Sequence, residues 1–322
     1  MIMKKNNTIF ITGGAGFIAN KLIAKLIDSN KIVVYDNFSR DTLSKSKYIN
    51  HKNIKIIKGD ILNFELLKTS ISRSNIIIHT AAIAGIDTVL KDPVKTMKVN
   101  MIGTANVLEA ARINQVSEKF IEFSTSEIFG NYAFKSDENS NAVAGSAGEA
   151  RWSYAVSKLA GEHLAMAYYR QFGLPTVSVR PFNIYGSGQT GDSAMLKFIT
   201  NALKNEDINI YGDGNQIRAW CYIDDFVDCV IKIINNKKAI GQSFNIGNSK
   251  AIMTIYGLAQ TVCRVLNSKS NILFQPPLSA DVELRIPSTE KAKKILNFKA
   301  KIDIDEGIKL TSEWVKENLS ND

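Results

Sequence analysis

The feature that most constrains this chain is a glycine-rich turn set between a short β-branched run and a helical one. Residues Thr8–Thr12 read as a strand and lead directly into Gly13-Gly14-Ala15-Gly16-Phe17-Ile18-Ala19. Glycine permits a tight turn and lets backbone N–H groups approach a ligand closely. The helix that follows, read over Phe17–Ser29, adds the partial positive charge of its N-terminus. Strand, glycines and helix in this order form a cradle for a pyrophosphate, with Gly13, Gly16, Phe17 and Ile18 as its candidate residues. The spacing is G-x-x-G-x-x-A, and Ala19 falls where helix packs on strand, a position that tolerates a methyl group.

The rest of the N-terminal half repeats the strand-then-helix pattern. Lys31–Tyr35, Ile54–Lys58, Asn75–His79, Lys119–Ser124 and Thr176–Arg180 read as strands; Phe64–Ser72, Val94–Asn114 and Ser153–Phe172 read as helices. Such alternation predicts an α/β fold, a Rossmann-type doubly wound parallel sheet with helices on both faces. Runs such as Ile76-Ile77-Ile78 fit strands buried on both sides. Beyond Pro181 the alternation loosens into shorter strands and turns such as Gly212-Asp213-Gly214. We expect residues 1–181 to form the cofactor domain, with a stretch at about 220–250 returning to it, and 182–322 to form mainly a smaller C-terminal α/β substrate lobe.

Asp36 ends the second strand, about 20 residues past the glycines. A carboxylate there can accept hydrogen bonds from ribose hydroxyls and repels a 2′-phosphate, which favours NAD over NADP. Arg40, nearby, is the residue that could serve NADP instead. Asp60 and Ile61 after the third strand are placed to meet the adenine, and Ala81 and Ala82 after the fourth offer small side chains where a cofactor lies close.

Composition removes other classes. The 322 residues are 45% hydrophobic and 22% charged, ordinary for a folded soluble chain. The net charge of +9 comes from scattered lysines without a basic block, so nucleic acid is not an expected partner. Cys221, Cys229 and Cys263 are widely spaced, which fits neither a disulfide framework nor a metal site. No apolar run approaches the roughly 18 residues of a membrane span. Lys4 and Lys5 precede an apolar stretch that stops at Gly13, too short for a secretory segment. A cytoplasmic protein is expected.

Tyr154 and Lys158 stand four residues apart in a helical stretch, which puts both on one face. An ammonium beside a phenol favours the phenolate and would bring the tyrosine toward neutrality as a base. The strand ending in Ser124-Thr125-Ser126-Glu127 lies about 30 residues earlier.

With these residues the sequence resembles the extended short-chain dehydrogenase/reductase family, the NAD-dependent nucleotide-sugar epimerases, dehydratases and decarboxylases. The resemblance spans nearly the whole chain: Thr12–Ile18, Asp60, His79–Ala82, Asn100, Thr125–Glu127, Tyr154 and Lys158, Arg180-Pro181-Phe182-Asn183, Arg218 and Arg285. It implies that Thr125 binds the sugar O4, that Tyr154 removes the O4 proton, and that Lys158 holds the nicotinamide ribose and tunes Tyr154. It sets Asn100, Ser124 and Pro181 on the cofactor, and Ser126, Asn183, Arg218 and Arg285 on a nucleoside diphosphate sugar.

The implied common step is oxidation of the sugar at C4. Glu127 is the acid that dehydration or decarboxylation needs and epimerisation does not. Thr-Ser-Glu, together with Arg151-Trp152 and Asp281–Ser288, resembles UDP-glucuronate decarboxylases; 4,6-dehydratase and 4-epimerase are the alternatives. A non-catalytic NAD(H)-sensing protein is the reading from another class, and the presence of Tyr154 and Lys158 counts against it. His79 on its apolar strand reads as structural and Cys221 as an inert buried thiol. The apolar faces of Val94–Asn114 and Ser153–Phe172, with Val107, Leu108, Leu159, Leu164, Ala165 and Tyr168, point to a homodimer built on a four-helix interface.

Overall fold

A computed structural model describes residues 6–191, 193–277 and 281–319; Lys4 and Lys5 lie outside them. The strands are β1 Thr8–Thr12, β2 Lys31–Asp36, β3 Ile54–Lys58, β4 Ile76–His79, β5 Lys119–Phe123, β6 Tyr132–Ser136, β7 Thr176–Pro181, β8 Ile184–Tyr185, β9 Ile208–Tyr211, β10 Ile217–Ala219, β11 Cys221–Tyr222, β12 Gln242–Ile246, β13 Ile252–Thr254, β14 Ile272–Gln275 and β15 Leu284–Pro287. The helices are α1 Phe17–Leu26, α2 Phe64–Ser70, α3 Ile86–Lys91, α4 Pro93–Met97, α5 Gly103–Ile113, α6 Trp152–Phe172, α7 Ala194–Lys204, α8 Ile223–Asn235, α9 Ile255–Leu266, α10 Glu290–Leu296 and α11 Ile304–Leu319.

Seven strands make one parallel sheet in the order β12-β7-β5-β4-β1-β2-β3. The alternation of β4 explains why it must be covered twice. Ile76 and Ile78 enter the core on the α1 and α8 side, and Ile77 enters the core on the α5 side. Each such side chain contributes about 1.5–3 kcal/mol by leaving water. Chain order reverses between β1 and β4, so a crevice opens above their C-terminal ends. Residues after Pro181 return to this sheet: α8 packs on α1 through its apolar face, and β12 pairs with β7. A second sheet, β13-β10-β15-β6, and the pairs β11-β8 and β14-β9 stand beside it.

Two helices differ from their sequence reading. Phe17–Ser29 ends at Leu26, where the Asn30 side chain donates to the Leu26 carbonyl at 2.9 Å and takes a terminal acceptor. Val94–Asn114 is three pieces: α4, capped by the Asp92 side chain on Lys95 N–H, a π-helical turn at Lys98–Ile102, and α5. The interface reading also changes. Val107, Leu108 and Ala165 are fully buried inside this chain's own core, so they cannot also face a partner. Among the described residues no helix is long and apolar enough to cross a membrane, and no group of three or more His, Cys, Asp or Glu could hold a metal.

Candidate active site

At the crevice floor Gly13 takes φ +66, and a Cβ there would lie 2.6 Å from the Ala81 backbone nitrogen. The turn therefore rests directly on the end of β4, beside Ala81 and Ala82. Gly16 caps α1 without a side-chain acceptor, which leaves the first helical amides, Phe17 and Ile18 among them, for an anion. The Asp36 carboxylate braces this turn, accepting the Ala15 N–H at 3.0 Å and the Phe38 N–H at 2.6 Å. Burial raises its pKa and those two amides lower it. A carboxylate has about four acceptor sites, so capacity remains for ribose hydroxyls. The uncapped helix and the remaining acceptor capacity of Asp36 fit NAD. Arg40 is committed elsewhere, donating to Ala84 O and Thr88 Oγ1 at 2.9 Å each.

Two of the expected cofactor residues, Ile61 and Asn100, are committed to the protein itself. Ile61 is buried in the α5-side core, where Gly103 leaves it room. Asn100 is buried and its amide is spent on protein: it accepts from Ile83 N–H at 2.8 Å and donates to Ile83 O and Ser157 Oγ. It positions the loop after Ala82 instead of presenting its amide to a ligand. Asp60 is exposed and accepts from Leu62 N–H. Ser124 is buried, with its hydroxyl toward the Glu162 carboxyl, and Pro181 is partly exposed at the end of β7.

Tyr154 lies in the first turn of α6, with Lys158 one turn on. Thr125 ends the β5 loop and caps the short 3-10 turn Ser126–Phe129, its Oγ1 accepting Glu127 N–H at 3.2 Å. Its own O–H reaches the Tyr154 phenol. Ser126 is buried in that turn and Glu127 is partly exposed. The expected tuning of Tyr154 by Lys158 is not what the chain does by itself. Lys158 Nζ donates to Glu122 Oε1 at 3.0 Å, with the two side chains 2% and 0% exposed. The Tyr154 phenol is held well above its ordinary value, by burial first and then by Glu127; the Thr125 hydroxyl pulls it down, Glu122 pushes it up, and Arg285 pulls it down. The Lys158 ammonium is paired with Glu122 beneath the helix.

At the other end of the crevice Arg218 on β10 and Arg285 on β15 are register partners, which brings the two expected substrate residues side by side. Arg285 donates to Gly130 O at 3.0 Å and meets Glu127 Oε1 at 3.5 Å; Arg218 meets Asp281 at 3.3 Å. Burial and the Arg285 charge bring the Arg218 guanidinium down to about 10, and burial likewise lowers Arg285. Arg151, not assigned a role from sequence, is the third member, buried and within electrostatic reach of both. Arg218 and Arg285 share Glu127 and Asp281, with the Arg151 charge beside them. Arg285 Nε and Arg151 Nε and Nη1 are buried donors without a partner among the described residues. Asn183, at φ +41, donates to Ala219 O at 3.0 Å and ties its loop to β10.

Residues 9–247 match the profile of the NAD dependent epimerase/dehydratase family. The chain belongs to that family. It is 33% identical to a UDP-N-acetyl-alpha-D-glucosaminuronate decarboxylase of Bacillus cytotoxicus, over 99% of this chain and 100% of that protein. It is 31% identical to UDP-glucuronic acid decarboxylase 1 of Danio rerio, over 99% of this chain and 75% of that one. Its fold superposes with a TM-score of 0.88 on a UDP-glucuronic acid 4-epimerase from Bacillus cereus in complex with UDP-glucuronic acid and NAD, at 27% identity over 97% of this chain and 99% of that one. This family member is an NAD-dependent enzyme that modifies nucleotide sugars.

Proposed function

We propose that the enzyme acts on a nucleoside diphosphate uronic acid, oxidises it at C4, and decarboxylates it. The observation that carries this reading is the cluster of Arg151, Arg218 and Arg285, in which the last two already share the carboxylates of Glu127 and Asp281 and which keeps buried donors to spare. A planar guanidinium suits a carboxylate. The decarboxylases named above and the epimerase, all matched at the level of the whole chain, carry uronic acids in their names or complexes.

In this reading Gly13, Gly16, Phe17, Ile18 and Asp36 hold NAD, Lys158 meets its nicotinamide ribose, and Ala81, Ala82, Ser124 and Pro181 line its path. Bound NAD supplies the hydride acceptor for C4 and the hydride returned at the end. Thr125 donates to O4 while Tyr154 takes the O4 proton. The 4-keto acid so formed loses carbon dioxide readily, because the ketone accepts the electron pair left at C5. Glu127, partly exposed, passes a proton taken from solvent to C5, and Tyr154 returns its proton to O4. Arg285 grips the sugar carboxylate, and Arg218, Asn183 and Ser126 the rest of the substrate. Residues 1–181 with the 220–250 return serve NAD, and 182–322 mainly the sugar nucleotide. Two copies associate through the exposed Ile102, Ile113 and Phe172, and three free cysteines suit the reducing cytoplasm.

Product masses from a panel of UDP-, dTDP-, GDP- and CDP-sugars and uronic acids test the reading. Loss of about 44 mass units from a uronic acid supports decarboxylation, loss of about 18 means dehydration, and unchanged mass with altered retention means epimerisation.

A further inference from the structure

One register row of the large sheet is polar. Thr12 pairs with His79, His79 with Glu122, Glu122 with Ser178 and Ser178 with Ser243, and the row lies under α5 and α6. Most of it is internally satisfied. His79 Nδ1 is 2.7 Å from the Thr12 hydroxyl and Nε2 is 2.9 Å from Thr104 Oγ1, whose own proton goes to Asn100 O. That makes Nε2 the protonated nitrogen of a neutral ring. Glu162 is gripped by Arg180 and Ser243.

Glu122 is held by a charge. It is fully buried, one oxygen takes the Lys158 ammonium, and the Ser178 hydroxyl beside it adds to the pull on the carboxyl. The groups facing it are His79 from β4, Ser178 from β7, Lys158 and Glu162 from α6, and Thr104 from α5. Gly161 keeps the helix close, since a Cβ there would come within 3.4 Å of Glu122 Oε1 and 3.3 Å of Thr104 Cγ2. Burial pushes the carboxyl up to about 7 against the pull of Lys158. Desolvation offsets most of the attraction in a buried pair, so stability alone is a weak reason for a glutamate in the run Lys119-Phe120-Ile121-Glu122-Phe123.

We propose that Glu122 is a positioning residue for Lys158: it anchors the ammonium from beneath α6 and balances its charge, so that a long flexible side chain meets the cofactor and Tyr154 from one fixed place. This rests on the role given to Lys158 above. A lysine left without that anchor regains rotamer freedom and loses affinity for what it holds.

The test is a double-mutant cycle on NAD affinity, measured calorimetrically on the full chain freed of cofactor. The proteins are the unmodified chain, Glu122→Gln, which keeps the shape, Lys158→Met, and the pair. If Glu122 acts through Lys158, each single change weakens NAD binding roughly 5–20-fold and the double variant is no weaker than Lys158→Met. Unchanged affinity in Glu122→Gln, or losses that multiply in the double variant, overturns the proposal. Unchanged affinity in Lys158→Met overturns it too, through the lysine's own role. Should Glu122→Gln fail to fold, Glu122→Asp goes through the same cycle. With a sugar that is turned over, Glu122→Gln should lower kcat roughly tenfold or more and leave KM within about twofold, and Glu122→Asp should restore part of the loss. A chain that turns over no sugar contradicts the proposed reaction, while the NAD cycle still decides Glu122.

Discussion

At the end of the crevice proposed to hold the cofactor the groups are backbone amides from one turn, braced by a single carboxylate. At the end proposed to hold the substrate they are charged side chains from distant parts of the chain; Glu127 and Arg285 meet across 158 residues. The first end is made by conformation and the second by charge. A conformational site is complete once the turn is folded, because its donors are fixed by the backbone. A charge-built site keeps donors in reserve, as the buried nitrogens of Arg151 and Arg285 do, and in the proposed reading a ligand carboxylate takes them up. The two ends should therefore respond to different perturbations.

The largest expected effect lies between them. Tyr154→Phe removes the base and should lower turnover about 10²–10⁴-fold with NAD affinity and the circular dichroism spectrum unchanged. Next comes the cofactor end. Gly13→Ala places a methyl group 2.6 Å from the Ala81 nitrogen at φ +66, so it should cost about 1–3 kcal/mol in urea unfolding and weaken NAD binding. Gly16→Ala meets only Gly13 O at 3.2 Å and should do much less. If the two variants lose NAD equally, the turn is not the rigid element described.

The smallest effect concerns pH. His79 stays neutral in the fold, with its pKa lowered from 6.5 to about 3 by burial. The unfolded chain binds the extra proton between those values, so this group alone makes stability fall as pH drops from 6.5 toward 3, by at most about 1.4 kcal/mol per pH unit. Glu122, raised from 4.5 to about 7, acts in the opposite sense, and its share falls as pH rises through that window. The two oppose each other where the windows overlap. His79→Gln should unmask Glu122, giving a urea midpoint that rises as pH is lowered from 7 to 5 relative to the unmodified protein. Identical pH profiles would contradict this balance.

The same contrast explains what could be read before the fold was known. The turn at Gly13–Ile18, Asp36 and the strand alternation are local patterns, so the large parallel sheet and its crevice were legible. Tyr154, Lys158 and Glu127 were legible as spacings. Arg151 was visible only as a neighbour of Trp152, because its meeting with Arg218 and Arg285 depends on β10 pairing with β15. Glu122 is one charge in an apolar strand, and its pairing with Lys158 depends on α6 lying over β5. The apolar stripes on α5 and α6 could not reveal which partner they bury against, and Val107, Leu108 and Ala165 turn inward. Asn100 has the chemistry of a ligand residue, yet the π-helical turn aims it at the Ile83 backbone.

The claim that the arginine trio reads a carboxylate is tested most directly by calorimetric binding of UDP-glucuronic acid and UDP-glucose to the NAD-loaded enzyme and to Arg285→Ala. A charge-assisted hydrogen bond contributes about 1.5–3 kcal/mol, so the unmodified enzyme should prefer the uronic acid by roughly 10–100-fold, and Arg285→Ala should lose most of that preference while its affinity for UDP-glucose changes little. Equal affinity for the two ligands, or a preference that survives in Arg285→Ala, would contradict the account.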